Sequence, residues 1–267
     1  MTDGEFIRVQ QFVKERIGVD LSQKRSLIEG RLEPHLARKG FPDATEYMRF
    51  IQTDVSGQEL EEMISILTTH HTYFWRESVH FELYRDEVLP YLKKKEVNSR
   101  DLRIWSAAAS TGEEAYTLAM LNMEFFGFKH SAWDTKVLAT DVSTKVLEFA
   151  QKGIYSEEQV DALPRQWKRL YFHKGQDGRF EAKSELKNQV LFRQFNLMNP
   201  LPFRKPMHVV FLRNVMIYFE EDTKRQLLQR IVNAMDSGGY LFVGTTESVE
   251  REAFGLEYVI PSVYRKK

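Results

Sequence analysis

Apolar positions along this chain follow one period at the start and another afterwards. Phe6, Val9, Phe12 and Val13 fall three and four apart, with Ile17 one turn further on, which predicts a helix with one apolar stripe that Gly18 ends. A second helix is expected over about Ser22 to Lys39, with Leu27, Ile28, Leu32 and Leu36 inward. Its other positions include Lys24, Arg25, Arg31, His35, Arg38 and Lys39, before Gly40 and Pro42 break the pattern. A third helix follows Asp43, from Ala44 to Gln52. A fourth runs from Gly57 to Leu67 with Leu60, Met63, Ile64 and Leu67 inside.

From about Ser78 short apolar runs alternate with helical stretches. A helix over Phe81 to Lys94 leads to the run Leu102–Trp105, and further runs follow at Val137–Thr140, His208–Leu212 and Tyr240–Gly244. Helical patterns lie between them at Glu113–Phe126, Ser143–Lys152 and Thr223–Met235. Strands alternating with helices predict a parallel sheet covered on both faces. The stretch Tyr171 to Phe195 interrupts this rhythm with a Gly-Gln-Asp-Gly turn at Gly175–Gly178 between β-like runs, and is expected to form a small antiparallel insertion. The expected division is a helical domain and linker over 1–77 and an α/β domain over 78–267, with the insertion at about 171–195.

Composition narrows the class. Hydrophobic residues make up 42 % of the 267 and charged residues 28 %, enough for a full core. Lys plus Arg and Asp plus Glu are 38 each, a balance unlike the basic excess of a nucleic-acid binder. The absence of cysteine excludes disulfides and Cys-based zinc sites. The first residues carry acids and have no apolar leader core, and no apolar run approaches the roughly 20 residues of a bilayer span. A soluble, cytoplasmic protein is expected.

Two strand ends carry candidate chemistry. The first is the small-residue loop Ser106-Ala-Ala-Ala-Ser-Thr-Gly112, followed by Glu113 and Glu114. It is neither GxGxxG nor a P-loop, since no Lys follows the glycine. Two acids where a phosphate would want cations suit a cationic, phosphate-free ligand such as S-adenosylmethionine. The same residues equally fit a tight βα turn whose acids favour the helix dipole. The second is Asp141, placed to accept ribose hydroxyls from the end of the next strand or to cap the helix that follows.

The segments Trp105–Glu114 with Tyr116, Ala139-Thr140-Asp141, Asn196-Leu197, Arg213–Phe219 and Thr72–Glu77 together resemble the chemotaxis-receptor glutamate O-methyltransferases, bacterial enzymes that use S-adenosylmethionine. The resemblance spans nearly the whole chain. It implies a Rossmann-like methyltransferase domain with a small antiparallel β insertion, preceded by an all-α domain. It implies transfer of a methyl group to receptor glutamates, giving methyl esters and S-adenosylhomocysteine. For the cofactor it implies contacts from His70, Thr72, Arg76, Glu114 (or Glu113), Asp141, Asn196, Leu197, Arg213 and Asn214, and no metal. Arg76 and Tyr218 are the candidate catalytic residues, as orienter and hydrogen-bond donor for the substrate carboxylate; Tyr218 also fits a core aromatic capping its strand. His70 stands where the family commonly has Asn, and an imidazole supplies a comparable donor or acceptor. The partner implied is the receptor's cytoplasmic helical bundle, docked on the N-terminal helices. The tight turn at Gly175–Gly178 suggests that no C-terminal pentapeptide tether is needed.

Two other classes compete. Asn199-Pro200-Leu201-Pro202-Phe203 is superficially similar to the Asn-Pro-Pro-aromatic motif of nucleic-acid amino methylases, but Leu201 interrupts it. A non-catalytic cofactor-binding adaptor would keep the loop and Asp141 yet have no need of Arg76, Arg213 and Tyr218.

Overall fold

The computed structural model describes residues 1–127 and 132–267. The helical period of the first part forms α1 (Asp3–Ile17), α2 (Arg25–Lys39), α3 (Ala44–Thr53) and α4 (Gln58–Leu67). Helix α1 opens on a capping box in which Thr2 and Glu5 satisfy each other's backbone N–H groups. Helix α2 begins three residues later than its apolar pattern suggests. Asp20 accepts the Ser22 N–H at 2.8 Å and Leu21 accepts that of Lys24 at 2.9 Å, so these residues form a turn. Asp43 caps α3 through the Glu46 N–H.

After an extended segment, α5 (Ser78–Leu83) continues through a π-helical turn (Tyr84–Val88) into α6 (Leu89–Lys95). Then follow β1 (Ile104–Ala107), α7 (Glu113–Phe126), β2 (Val137–Asp141), α8 (Thr144–Lys152), β3 (Ile154–Tyr155), α9 (Glu157–Val160), α10 (Arg165–Tyr171), β4 (Phe172–Lys174), β5 (Phe180–Ala182), α11 (Ser184–Lys187) and β6 (Val190–Gln194). The chain ends with β7 (Met207–Leu212), a 3-10 turn (Met216–Tyr218), α12 (Glu221–Ala234), β8 (Met235–Val243), β9 (Leu256–Ile260) and β10 (Val263–Lys266).

The main sheet has the order β6-β2-β1-β7-β8-β10-β9. Strands β6, β2, β1, β7 and β8 run parallel, and β10 is antiparallel to both its neighbours. Chain order reverses at β1, between β2 and β7, so the switch point opens a crevice at the carboxyl ends of these strands.

Strict alternation loads both faces. Ile104, Val209, Phe211 and Phe242 pack with Phe81 and Tyr116 on one side, where the Phe211 and Phe242 rings stack at 4.3 Å. Trp105, Val210, Leu212 and Leu241 pack on the other with α12. This second face also holds Val9, Ile28, Leu32 and Leu67, so the helical module shares one continuous apolar core with the sheet. Polar contacts reinforce the seam. Val19 bridges Phe219, Lys14 pairs with Glu220 at 2.7 Å, and Glu61 accepts from Thr144 at 2.6 Å and Gln194 at 2.8 Å.

The insertion is bounded differently from the expectation of about 171–195. Its sheet is β3-β5-β4, so it starts at Ile154. Val190–Gln194 belongs instead to the main sheet, in parallel register with β2 from Val137↔Val190 to Asp141↔Gln194. As an edge strand β6 is buried at alternate positions only, with Leu191 42 % exposed, and therefore lacks the continuous apolar run of an inner parallel strand. Strands β9 and β10 went unread because a register shift at Val263/Tyr264 breaks their alternation.

Candidate active site

The crevice at the switch point is a cavity of about 460 Å³, within the range of small-molecule sites. Its floor is the β1–α7 loop and the end of β2. One wall is the Arg213–Phe219 segment after β7. The other is the extended segment after α4, together with residues 17–27 of the helical module.

The loop is held in an uncommon conformation. Ala108 has φ 57°, Ser110 φ 50° and Gly112 φ 94°. Left-handed non-glycine residues cost about 1–2 kcal/mol each, so their surroundings must fix them. Ser110 N–H donates to Asp141 Oδ2 at 2.9 Å, Ala109 N–H to the Thr140 carbonyl at 2.9 Å, and Gly112 N–H to the Ala109 carbonyl at 3.0 Å. A Cβ on Gly112 would lie 2.8 Å from that of Ala150. These N–H groups are committed within the protein and cannot cradle a phosphate. Two acids, Asp141 and Glu114, line the cavity beside them. The donor set fits a cationic, phosphate-free ligand.

Asp141 combines both roles open to it from sequence. Its Oδ1 accepts the Ser143 N–H at 3.0 Å, as a turn carboxylate would, while the residue also lines the cavity. Burial pushes its carboxyl above the usual range, against the Ser143 hydrogen bond and the His70 imidazole. His70 sits across from it. Its Nε2 is 2.8 Å from Thr68 Oγ1, its carbonyl accepts from Ser110 Oγ at 2.9 Å, and burial lowers its pKa despite the Asp141 charge.

The two arginines differ. Arg213, with a side chain only 2 % exposed, bridges Glu77 at 3.1 Å and Glu114 at 2.9 Å and also donates to the Arg76 carbonyl. Burial raises the Glu77 carboxyl, but the Arg213 charge and the Asn214 and Arg213 hydrogen bonds outweigh it and hold it below the usual range. Arg76 makes no ion pair among the described residues. Its Nη1 donates to the His71 carbonyl at 2.8 Å and its guanidinium lies 5.8 Å from the Tyr73 ring centroid.

Of the residues singled out by sequence, His70, Thr72, Arg76, Glu114, Asp141, Asn196, Leu197, Arg213, Asn214 and Tyr218 all line the cavity. Glu113 does not. It is fully buried on the far side of the loop, held by Thr111 Oγ1 at 2.6 Å and Gln159 Nε2 at 3.3 Å, and burial raises its carboxyl. Consecutive helix positions point about 100° apart, so only one of two adjacent acids can face the ligand. Asn196 gives its amide N–H to the Arg16 carbonyl at 2.6 Å, tying the cavity wall to α1. Two supporting residues were missed. Glu77 ends the Thr72–Glu77 segment and holds Arg213, the Asn214 amide and the Thr245 N–H. Glu247 gathers the N–H groups of Asn214, Ile217 and Gly244 at 2.8, 3.1 and 2.6 Å, and no sequence signal marks it.

A Rossmann-like sheet with this order, a loop whose Ala109, Ser110 and Gly112 N–H groups are committed within the protein, and an acid at the end of β2 fit an S-adenosylmethionine-dependent methyltransferase. Residues 70–261 match the family described as CheR methyltransferase, SAM binding domain, and residues 4–68 match its all-alpha domain. The chain is 40 % identical over 270 residues to a chemotaxis protein methyltransferase of Borreliella burgdorferi, covering 100 % of this chain and 95 % of that one. It is 35 % identical over 253 residues to that of Escherichia coli K12, covering 93 % and 85 %. Among solved structures, a TehB-like SAM-dependent methyltransferase from Corynebacterium glutamicum aligns at TM-score 0.38 and 16 % identity, over 62 % of this chain and 80 % of that one. The chain belongs to the CheR methyltransferase family, and its cofactor is S-adenosylmethionine.

Proposed function

We propose that this chain methylates glutamate side chains of chemotaxis receptors in the cytoplasm, with Arg76 orienting the substrate carboxylate. The observation that carries this reading is the contrast between the two arginines: Arg213 is committed to Glu77 and Glu114, whereas Arg76 lines the cavity without a carboxylate partner among the described residues. Among the described residues no helix is long and apolar enough to cross a membrane.

A glutamate carboxylate, with a pKa near 4.3, is already ionised at neutral pH and needs no general base. S-adenosylmethionine supplies an electrophilic methyl group on a cationic sulfur. The work left to the protein is alignment and exclusion of water. With Nη1 held by the His71 carbonyl, Arg76 keeps Nη2 and Nε for one face of the substrate carboxylate. That leaves a carboxylate lone pair free to attack. The Tyr218 hydroxyl is the second donor. Asp141 accepts the ribose hydroxyls, Asn196 and Leu197 flank the adenine, and Glu114, Thr72 and His70 hold the amino-acid end.

Receptor helices dock on the helical module, through fewer cations than α2 carries. Arg25 is paired with Asp3 and Glu29, Lys39 with Glu59 and Glu62, and Arg31 donates to the Ile66 and Thr68 carbonyls. Exposed Lys24 and Arg38 make no ion pair among the described residues and are the docking cations. The β4–β5 hairpin closes in a tight turn, with Gly175 N–H donating to the Arg179 carbonyl at 2.7 Å, and offers little backbone to a tethering peptide. Docking therefore proceeds without a C-terminal tether.

The test is transfer of labelled methyl to receptor membranes, to DNA or to RNA. Base-labile label on receptor, indifferent to a C-terminal pentapeptide, is expected. Label on nucleic acid, or on nothing, would replace this reading with one of the two competing classes.

A further inference from the structure

The insertion does more than form a second sheet. Its first strand and helix, β3 and α9, lie against the outer side of the cofactor loop. Tyr155, fully buried on β3, donates its hydroxyl to the Thr111 carbonyl at 2.7 Å. Thr111 Oγ1 donates to Glu113 Oε2 at 2.6 Å, and Gln159 Nε2 donates to Glu113 Oε1 at 3.3 Å. Gln159 is itself fixed, because its Oε1 accepts the Ser156 N–H at 2.9 Å in the capping box of α9. The chain of contacts runs from the start of α9 through Glu113 to Thr111, and from β3 to the same residue.

Thr111 stands between the two strained residues Ala108 and Ser110 on one side and Gly112 on the other. From the cavity side the loop is held at Ser110, by Asp141 and by the His70 carbonyl. From outside it is held at Thr111 and Gly112. A Cβ on Gly112 would meet the Tyr155 hydroxyl at 3.2 Å, so the insertion packs against the loop backbone itself. A left-handed loop of ordinary residues relaxes once its restraints are removed. The outer restraints therefore bear on the shape that the ligand meets.

We infer that Tyr155, Gln159 and Glu113 are positioning residues for the cofactor: from outside the cavity they fix the Ala108–Gly112 loop in its ligand-binding shape. None of the three lines the cavity. The inference rests on the reading that the cavity holds S-adenosylmethionine.

The test is calorimetric binding of S-adenosylhomocysteine to the full chain, with thermal unfolding measured in parallel. Tyr155→Phe removes one hydroxyl and keeps the ring, and should weaken binding about three- to tenfold, as expected for one lost hydrogen bond to a buried carbonyl. Glu113→Ala should weaken it by a similar factor. Glu113→Gln, whose amide oxygen still accepts from Thr111 but whose NH2 turns toward the Gln159 amide, should restore part of the affinity, which a loss of generic packing would not explain. In turnover, the loss should fall on KM for the cofactor and spare kcat. Asp141→Ala serves as the reference for the cavity. If Asp141→Ala binds weakly while folded Tyr155→Phe binds as the parent does, the positioning role is refuted and the cavity reading stands. If Asp141→Ala also binds normally, the cavity reading fails and this inference with it. Should Glu113→Ala not fold, Tyr155→Phe alone decides.

Discussion

The helical module and the β insertion both lie outside the parallel sheet and both reach the same loop, by different means. The module joins through apolar surface: Val9, Ile28, Leu32 and Leu67 share a core with Trp105, Val210 and Leu241. It then sends the segment carrying His70 and Arg76 along one wall of the cavity. The insertion also buries Tyr155, Phe172 and Phe180 in the core on the opposite face, but outside the cavity it holds the loop by the hydrogen bonds of Tyr155 and Gln159. Apolar burial is non-directional and tolerates small shifts, whereas hydrogen bonds fix position to a few tenths of an ångström. The first arrangement suits a wall that carries substrate-facing groups. The second suits a restraint on a loop whose shape must not drift.

The comparison is broken most severely at Arg213, where the segment from the module meets the sheet. Arg213→Ala leaves the half-buried Glu77 and Glu114 without their cation, and the loss approaches the roughly 3–5 kcal/mol of a broken buried pair. Urea unfolding should show a loss of that size. A loss under 1 kcal/mol would mean that the two acids find other partners. Arg76→Ala, at the residue next to Glu77, should behave in the opposite way. Stability should hold, while methyl transfer falls about a hundredfold, about 2.7 kcal/mol of barrier, with S-adenosylhomocysteine affinity nearly unchanged. Equal losses in transfer and affinity would make Arg76 a cofactor ligand.

A pH experiment probes the same junction. His80 is fully buried behind Arg213, and burial together with the Arg213 charge lowers its pKa from 6.5 to about 4, against the pull of Glu77. Its folded pKa lies below its unfolded one, so between these values the unfolded chain binds the extra proton. Stability is then complete above about pH 6.5 and declines as pH falls toward 4. From pH 7 to pH 5 this group should remove about 2 kcal/mol. His80→Gln, which keeps a donor for Ser262, should flatten that part of the profile. An unchanged slope would show that His80 is accessible to protons in the native state.

How far these features were legible depends on whether a signal is local. The four helices of the module, the inner strands and the small-residue loop announce themselves by period and composition. The edge strand β6 does not, because one-sided burial gives it the alternation of an antiparallel strand, and β3 has two residues, too few for any period. Of the ten cavity residues, Glu114 and Asp141 are marked by their place at strand ends, whereas the other eight are implied only by the family resemblance. Glu113 was paired with Glu114 because sequence adjacency says nothing about which of two helix positions faces a ligand. Glu247 was out of reach for another reason. Its role is to collect three N–H groups from segments that only the tertiary fold brings together.

The smallest effect is expected where the helical module meets its partner, and it sharpens the contrast between module and insertion by asking what the module's outer face does. The cations that α2 and its N-cap offer an acidic receptor helix are Lys24, Arg25, Arg31, Arg38 and Lys39. The structure separates them: Arg25 and Lys39 are neutralised locally, and Arg31 fastens the Ile66 and Thr68 carbonyls at the start of the segment that covers the cavity. Lys24 and Arg38 stand at opposite ends of α2, about 21 Å apart at 1.5 Å per residue, a spacing that spans several turns of a docked helix. Each exposed charge contributes about 0.2–1 kcal/mol. Arg38→Glu should therefore raise KM for receptor by about 1.5- to 5-fold and leave S-adenosylhomocysteine affinity alone, whereas Lys24→Glu, at a residue that also lines the cavity, should change both. The Arg38→Glu difference from the parent should vanish at 1 M salt, where the screening length is about 3 Å. Arg31→Glu should instead lower the melting temperature, since it leaves two helix-end carbonyls without their donor. Receptor kinetics indifferent to Arg38→Glu and to salt would show that this face is only solvated, and would move the docking surface away from α2.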